Sequence, residues 1–357
     1  PLAGIEREAA RLGATLEPVR VAVRTGDTSP RDRRRLLREP GDILITNDPW
    51  FGSGHTPDVF VAAPAFRGSR LVGFAVNSAH HIDFGGRLSA PDARDVYEAR
   101  DAWASIAMGL GSVVVGVPFK LLFLYLLGVL YQHRLFTVQA NALGYVALFF
   151  AEDLCYYWSH RTNHEVRLFW AAHVNHHSST YYNLATAVRQ SWTQPYLMWI
   201  FWLPLPLLGF SPNLIVLQMA ISLIYQFFIH TQEVDKLGPL EWVFNTPSHH
   251  RVHHAVNVRY LDKNHAGILI IWDRLFGSFA VERADDPPIY GITKNIDTFN
   301  PLRIASHEWI ALFRDVRRAP RLVDKLRYLF SPPGYSPDGS TLTAKQLQSR
   351  RHEAPAE

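Results

Sequence analysis

Three histidine clusters set between apolar runs constrain this chain more than any other feature of its sequence. They read His160-Arg-Thr-Asn-His164, His173-Val-Asn-His176-His177 and His250-Arg-Val-His253-His254, with a lone His230 between the last two. Imidazole is the commonest protein metal ligand because its neutral form offers a nitrogen lone pair near neutral pH. Spacings of three and four residues bring ring nitrogens onto one face of a helix. One such pair is weak evidence; three clusters in one chain imply a metal centre. Nine imidazoles exceed the roughly four to six positions around one ion, so two ions are the economical reading. His249 is a spare or supporting group. Ligand type does not select the metal, since imidazole suits iron, zinc and copper alike.

The apolar runs cover 106–131, 142–158, 195–209 and 213–229; Lys120 and Pro118 interrupt the first, Glu152 and Asp153 the second. Most have the length at which a helix crosses about 30 Å of hydrocarbon, and the third needs help from its flanks. Paired as two hairpins, the runs return the chain to one membrane face at each cluster. Arg161, Arg167, Arg189, Arg251, Arg259 and Lys263 share that face, which the positive-inside tendency makes cytoplasmic. The expected fold is an all-α integral membrane protein, with four transmembrane helices and a cytosolic helical cap holding a His-rich dimetal site.

The front of the chain differs in kind. Residues 2–12 suit a short amphipathic helix stopped by Gly13, while 19–23 and 42–46 are β-branched runs of strand type. Arg31, Arg33, Arg34, Arg35 and Arg38 form a basic run read as a solvated helix face. No signal peptide is expected in 1–40, which lack an apolar core segment. A net charge of +4 beside apolar spans fits a membrane surface better than nucleic acid. The single cysteine, Cys155, excludes an internal disulfide and fits a reducing compartment. The stretch from Pro18-Val-Arg-Val-Ala-Val to Gly41-Asp-Ile-Leu-Ile-Thr46 resembles a part of Lhr-type superfamily 2 helicases. It has no Gly-Lys-Ser/Thr loop to cradle phosphates, so neither helicase activity nor a nucleic-acid partner is expected.

From Gly41-Asp-Ile-Leu-Ile-Thr, through His55-Thr-Pro-Asp58 and Ala79-His80-His81, to residue 96, the sequence resembles hydantoinase B and the related acetone carboxylase subunit. That resemblance implies a divalent metal at His55, Asp58 and His80. So short a stretch lacks most of the wall such a site needs. The expected organisation is a helicase-like fragment at 1–46 and a hydantoinase B-like fragment at 47–96, both non-functional, short and poorly packed α/β pieces. The string at 41–46 suits both families and suggests a fused or misassembled reading frame. A membrane domain at 97–335 and a disordered tail at 336–357 complete the chain.

The remainder carries a closer resemblance. His160 to His164, Trp170-Ala-Ala-His-Val-Asn-His-His-Ser-Ser179, Asn245-Thr-Pro-Ser-His-His-Arg-Val-His-His254 and Gly267-Ile-Leu-Ile-Ile-Trp-Asp-Arg-Leu-Phe-Gly-Ser-Phe279 look like the fatty acid hydroxylase/sterol desaturase superfamily, on its alkylglycerol monooxygenase-like branch. The resemblance implies a di-iron centre that uses O2 to hydroxylate or desaturate a lipid C–H bond. Its implied ligands are His160, His164, His173, His176, His177, His230, His250, His253 and His254. The implied cofactors are two iron ions, with zinc as a substitute in purified protein, and an external reductant. The implied partners are a lipid, the membrane (a bacterial inner membrane) and an electron donor. Asp153, Glu165 and Asn183 are the catalytic candidates and Gln190 a supporting one, with helix-end or surface roles as alternatives. His265 stands where the resemblance leads us to expect Tyr; it either adds a ligand or replaces a packing ring, and the second reading is preferred. Residues 309–318 suit an amphipathic helix that lies on the membrane surface or caps the domain. Two other functions stay open: a zinc-binding membrane protein without oxygenase activity, and a hydantoinase B-like metal-dependent subunit.

Overall fold

A computed structural model describes residues 21–24, 43–46, 58–67, 70–80 and 96–353. The chain divides into two units, Pro1–Asp83 and Phe84–Glu357. In the first, β1 (Val21–Arg24), β2 (Ile43–Thr46), β3 (Asp58–Arg67) and β4 (Arg70–His80) form one sheet in that order. β1 and β2 run parallel, and the other neighbours antiparallel. The strands expected near 19–23 and 42–46 are therefore present. Asp58 and His80 are cross-strand partners. His55, the helix expected at 2–12 and the basic run at 31–38 lie outside the described residues.

The second unit is helical apart from isolated bridges among the described residues. Helix α1 (Ala99–Gln132) starts where the Glu98 side chain caps the Asp101 amide, and it contains Pro118. Thirty-four residues extend about 50 Å. With a mean hydropathy of 2.3 in its most apolar window, α1 is the one described helix long and apolar enough to cross a membrane. Leu110, Val114, Leu121 and Tyr125 stand outward along it, each more than 60% exposed. Helix α2 (Ala142–Glu165) is capped by Asn141 and carries His160 and His164 in its last turns.

The third apolar run departs from expectation. Instead of one transmembrane helix it forms α6 (Gln194–Leu197), a 3-10 turn at Met198–Trp202 and α7 (Pro204–Leu207). Pro195, Pro204 and Pro206 lack the amide hydrogens that a continuous helix needs. The fourth run becomes a helix, Pro212–Phe228, of only 17 residues, shorter than the roughly 20 that span hydrocarbon. Among the described residues one helix, α1, thus meets the length and apolar composition of a membrane span. Phe123, Leu127, Leu148, Met198, Trp202, Leu205, Phe210 and Ile215 instead interlock the four runs in one core.

Between the second and third runs lie α3 (Arg167–Ala171), α4 (Val174–His177) and α5 (Leu184–Ala187); the fourth run is α8 (Pro212–Phe228), and α9 (Pro247–His253) follows it. The other histidines stand on or next to α4 and α9, with His230 just past the end of α8. Beyond them lie α10 (Ile271–Leu275), α11 (Pro301–Arg318), α12 (Leu322–Phe330) and α13 (Ala344–Glu353). The tail expected to be disordered therefore contains a helix. Gln348 on α13 donates to the carbonyls of Val258 and Leu261, an anchor that polar composition alone does not reveal.

Candidate metal centre

Two glycines let the chain approach α1 closely enough to build the site. A Cβ on Gly109 would sit 2.5 Å from the Val188 carbonyl, and one on Gly111 would sit 2.3 Å from the Trp192 indole. Trp192 donates to the Met108 carbonyl and Ser112 to the Ser191 carbonyl, at 3.0 Å each. The buried Arg189 guanidinium lies between these contacts, 3.0 Å from Asp101, and also donates to the Asn175 carbonyl and to Ser178. Helix α1 thereby holds the segment bearing the second cluster.

All nine histidines of the clusters are buried. Their nitrogens gather into two groups, each within 4.8 Å: His160, His164, His173, His177 and His253 in one, His176, His230, His250 and His254 in the other. The groups interlock. In both triads the residues four apart share a group, and the intervening residue three apart crosses to the other. On a helix, positions i and i+4 differ by about 40° in direction, whereas i+3 and i+4 differ by about 100°. One turn of helix therefore serves both groups.

Hydrogen bonding fixes which nitrogen faces inward. His160 Nδ1 donates to the His265 carbonyl at 2.8 Å, His230 Nδ1 to Gln226 at 2.6 Å, His253 Nδ1 to Lys263 at 2.9 Å and His176 Nδ1 to Arg189 at 3.4 Å. A carbonyl only accepts, so each of these Nδ1 atoms carries the proton and each neutral ring presents a lone pair at Nε2. Burial holds the imidazoles of His173, His176, His177, His250, His253 and His254 well below the ordinary histidine range, so they are neutral at pH 7. His176 and His230 consequently point lone pairs at one another across 3.2 Å. Other Nε2 pairs lie at comparable separations: His160–His173 at 3.1 Å, His173–His177 at 3.2 Å and His230–His250 at 3.0 Å. Two nitrogens about 2.1 Å from a shared ion, at roughly a right angle, are about 3.0 Å apart. The His164, His253 and His254 Nε2 atoms have no protein partner. Buried, neutral, unpartnered and convergent, these donors fit a pair of transition-metal ions.

The other candidates sit elsewhere in the hydrogen-bond network. Asp153 accepts from the Ile268 and Leu269 amides and the Trp272 indole at 2.8–3.0 Å, fastening the start of α10 and the residues before it to α2. Glu165 pairs with Arg161 at 3.1 Å. Asn183 caps α5 and donates to the Val96 carbonyl, and Gln190 donates to the Ala187 carbonyl. Asn183 is thus a helix cap, Glu165 and Gln190 make local pairs, and the buried Asp153 is a brace between distant segments; none of the four residues belongs to either histidine group. His249 closes the capping box of α9 with Thr246. His265 belongs to neither group; its fully buried ring packs beside His164, 5.0 Å between centroids.

A cavity of about 130 Å³ reaches the site, with His164, His177, His253 and His254 on its floor. Its apolar wall includes Leu261 and Ile292 together with Pro333, Leu342 and Leu347 from the carboxy-terminal segment. Sequence reasoning missed that segment. Its only signal was two leucines in an otherwise polar stretch.

Residues 145–278 match the fatty acid hydroxylase family. The resemblance read from the histidine motifs holds. Alkylglycerol monooxygenase from Homo sapiens is 40% identical over 239 residues, covering 66% of this chain and 53% of that protein. The Xenopus tropicalis and Danio rerio alkylglycerol monooxygenases are 44% and 48% identical over 189 residues, each alignment covering 53% of this chain and 42% of the relative. The chain thus spans about half the length of these curated relatives. Residues 8–99 match hydantoinase B/oxoprolinase, a span that takes in the whole of the 18–46 stretch compared above with helicases. The 5-oxoprolinase of Saccharomyces cerevisiae is 41% identical over 64 residues, or 17% of this chain and 5% of that protein. No solved structure matches the chain.

Proposed function

We propose that the helical unit is a membrane-bound, non-haem di-iron oxygenase that hydroxylates or desaturates a lipid C–H bond with O2. The observation that carries this reading is the opposed arrangement of neutral, carbonyl-anchored imidazoles in two adjoining groups. Two iron ions would supply the reductive activation of O2 that an unactivated C–H bond requires. His160, His164, His173, His177 and His253 would hold one, and His176, His230, His250 and His254 the other. The names of the relatives make an alkylglycerol the first substrate to try.

The chain's own contribution is geometry and an apolar surface. The Gln226, Lys263, Arg189 and His265 carbonyls lock the imidazole tautomers before any ion arrives. Leu261, Ile292, Leu342 and Leu347 offer a hydrocarbon segment an apolar surface beside His164, His177, His253 and His254. Asp262 and Thr293 add polar groups to the same lining. Electrons come from an external reductant. In this reading α1 crosses the bilayer and the histidine groups lie on its cytoplasmic side.

The test is lipid mass spectrometry under 18O2 on membranes containing the full chain or its His176→Ala variant, with metal analysis of both. An 18O-labelled alcohol or a new double bond, lost in the variant, supports the proposal. Zinc alone, with no oxygen-dependent product from an iron-loaded, reduced sample, overturns it.

A further inference from the structure

We propose that α11 and α12 form a docking face for an anionic lipid surface, and that this face adjoins the cavity mouth. The proposal uses the membrane placement of the reading above and none of its chemistry. Leu322, Leu326 and Phe330 recur every four residues on α12 and are 72%, 47% and 58% exposed. Leu302, Ile310 and Phe313 form a similar stripe on α11, each more than half exposed. Large apolar side chains lined up outward on two consecutive helices need a partner.

Charge identifies that partner. Residues 301–330 contain seven Lys and Arg but three Asp and Glu, an excess equal to the net +4 of the whole chain. The acidic groups are engaged: Glu308 and Asp315 both pair with Arg167, and the buried Asp324 pairs with Arg321. Arg314, Arg317, Arg318 and Arg327 remain exposed along the stripes. An apolar strip rimmed by free guanidinium groups matches acyl chains beneath anionic headgroups.

The position of the helices agrees. Ile304 of α11 is buried with Ala104 and Met108, in the first turns of the long apolar α1. At the same level Trp103 is 70% exposed, at the start of the outward apolar surface of α1. Interfacial aromatic residues mark that boundary in spanning helices. Helix α11 therefore lies at the end of the span, where a bilayer surface would be. Three residues after α12 ends, Pro333 enters the cavity wall, so a lipid held on this face is next to the route toward His164.

The test uses the full chain in nanodiscs holding one copy each, with Cys155→Ser as background. Leu326→Cys, Leu121→Cys and Ser340→Cys are labelled separately with an environment-sensitive fluorophore. Doxyl lipids should quench the labels at positions 326 and 121, and aqueous iodide the label at 340. Replacing anionic lipid by phosphatidylcholine should raise iodide access at 326, as should Arg317→Gln, Arg318→Gln and Arg327→Gln, by about fivefold in the docking equilibrium per charge removed. Iodide quenching at 326 with lipid quenching intact at 121 overturns this proposal alone. Failure at 121 as well overturns the membrane placement. Shielding at 326 that appears only when two copies share a disc assigns the face to a second copy instead, and also overturns it.

Discussion

Removing the carboxylate of Asp101 tests how the fold holds the second histidine cluster. Asp101 and Arg189 are 4% and 1% exposed, and their charged groups lie 3.0 Å apart. Asp101 also accepts from Ser179 at 2.6 Å, and Arg189 donates to Ser105 at 3.1 Å. Asp101→Ala leaves a buried guanidinium without its counter-charge, a change that costs about 3–5 kcal/mol. At roughly 2–4 °C per kcal/mol for a unit of this size, the unfolding midpoint in detergent should fall by on the order of 10 °C. Metal retention should fall too, because the Arg189 carbonyl anchors His176; loss of such an anchor weakens affinity by about 10- to 100-fold. The assay is thermal unfolding with metal analysis across a chelator titration. Asp101→Leu combined with Arg189→Met removes both charges and should recover much of the lost stability. A loss below about 1 kcal/mol, as expected for an exposed pair, with unchanged metal content, would refute the argument.

Three further outcomes follow from other contacts. Asp153→Ala strands two buried amides and a half-buried indole, the amides at about 1–3 kcal/mol each, so thermal unfolding should show a loss of at least about 2 kcal/mol; an unchanged midpoint with abolished turnover would instead support a catalytic role for Asp153. Gly267→Ala places a Cβ 2.8 Å from the Tyr156 ring and 3.0 Å from Asp153, so it should cost about 1–3 kcal/mol by overpacking, while Gly277→Ala measures the separate backbone effect of a positive φ in open space. For the metal-free chain, the clustered histidines take up protons less readily folded than unfolded. Stability should therefore be retained above about pH 6.5 and decline as pH falls below it; a midpoint that rises on acidification contradicts their burial as neutral rings.

The histidine spacings made the convergence of the rings legible because helical geometry is local: three or four residues decide which way a ring points. They did not reveal how each triad divides between the groups, since that depends on where α2, α4 and α9 meet. Nor could they reveal the carbonyl anchors, because every residue has a carbonyl and nothing marks the one from Gln226 or Lys263. Nor could the sequence show what Asp153 holds, since its donors come from more than 110 residues away. In the third run, hydropathy registered the apolar composition, while Pro195, Pro204 and Pro206 decided the backbone. Leu342 and Leu347 escaped notice because two apolar residues do not make a pattern, although both wall the cavity.

The most direct measurement is the metal content of the full chain expressed with ample iron, beside His230→Ala and His164→Ala. We expect two ions per chain, with nitrogen-rich coordination by X-ray absorption, and a fall toward one ion in each variant as its own group is opened. One ion or fewer in the parent chain, or two ions retained in both variants, would contradict a paired centre built from these imidazoles.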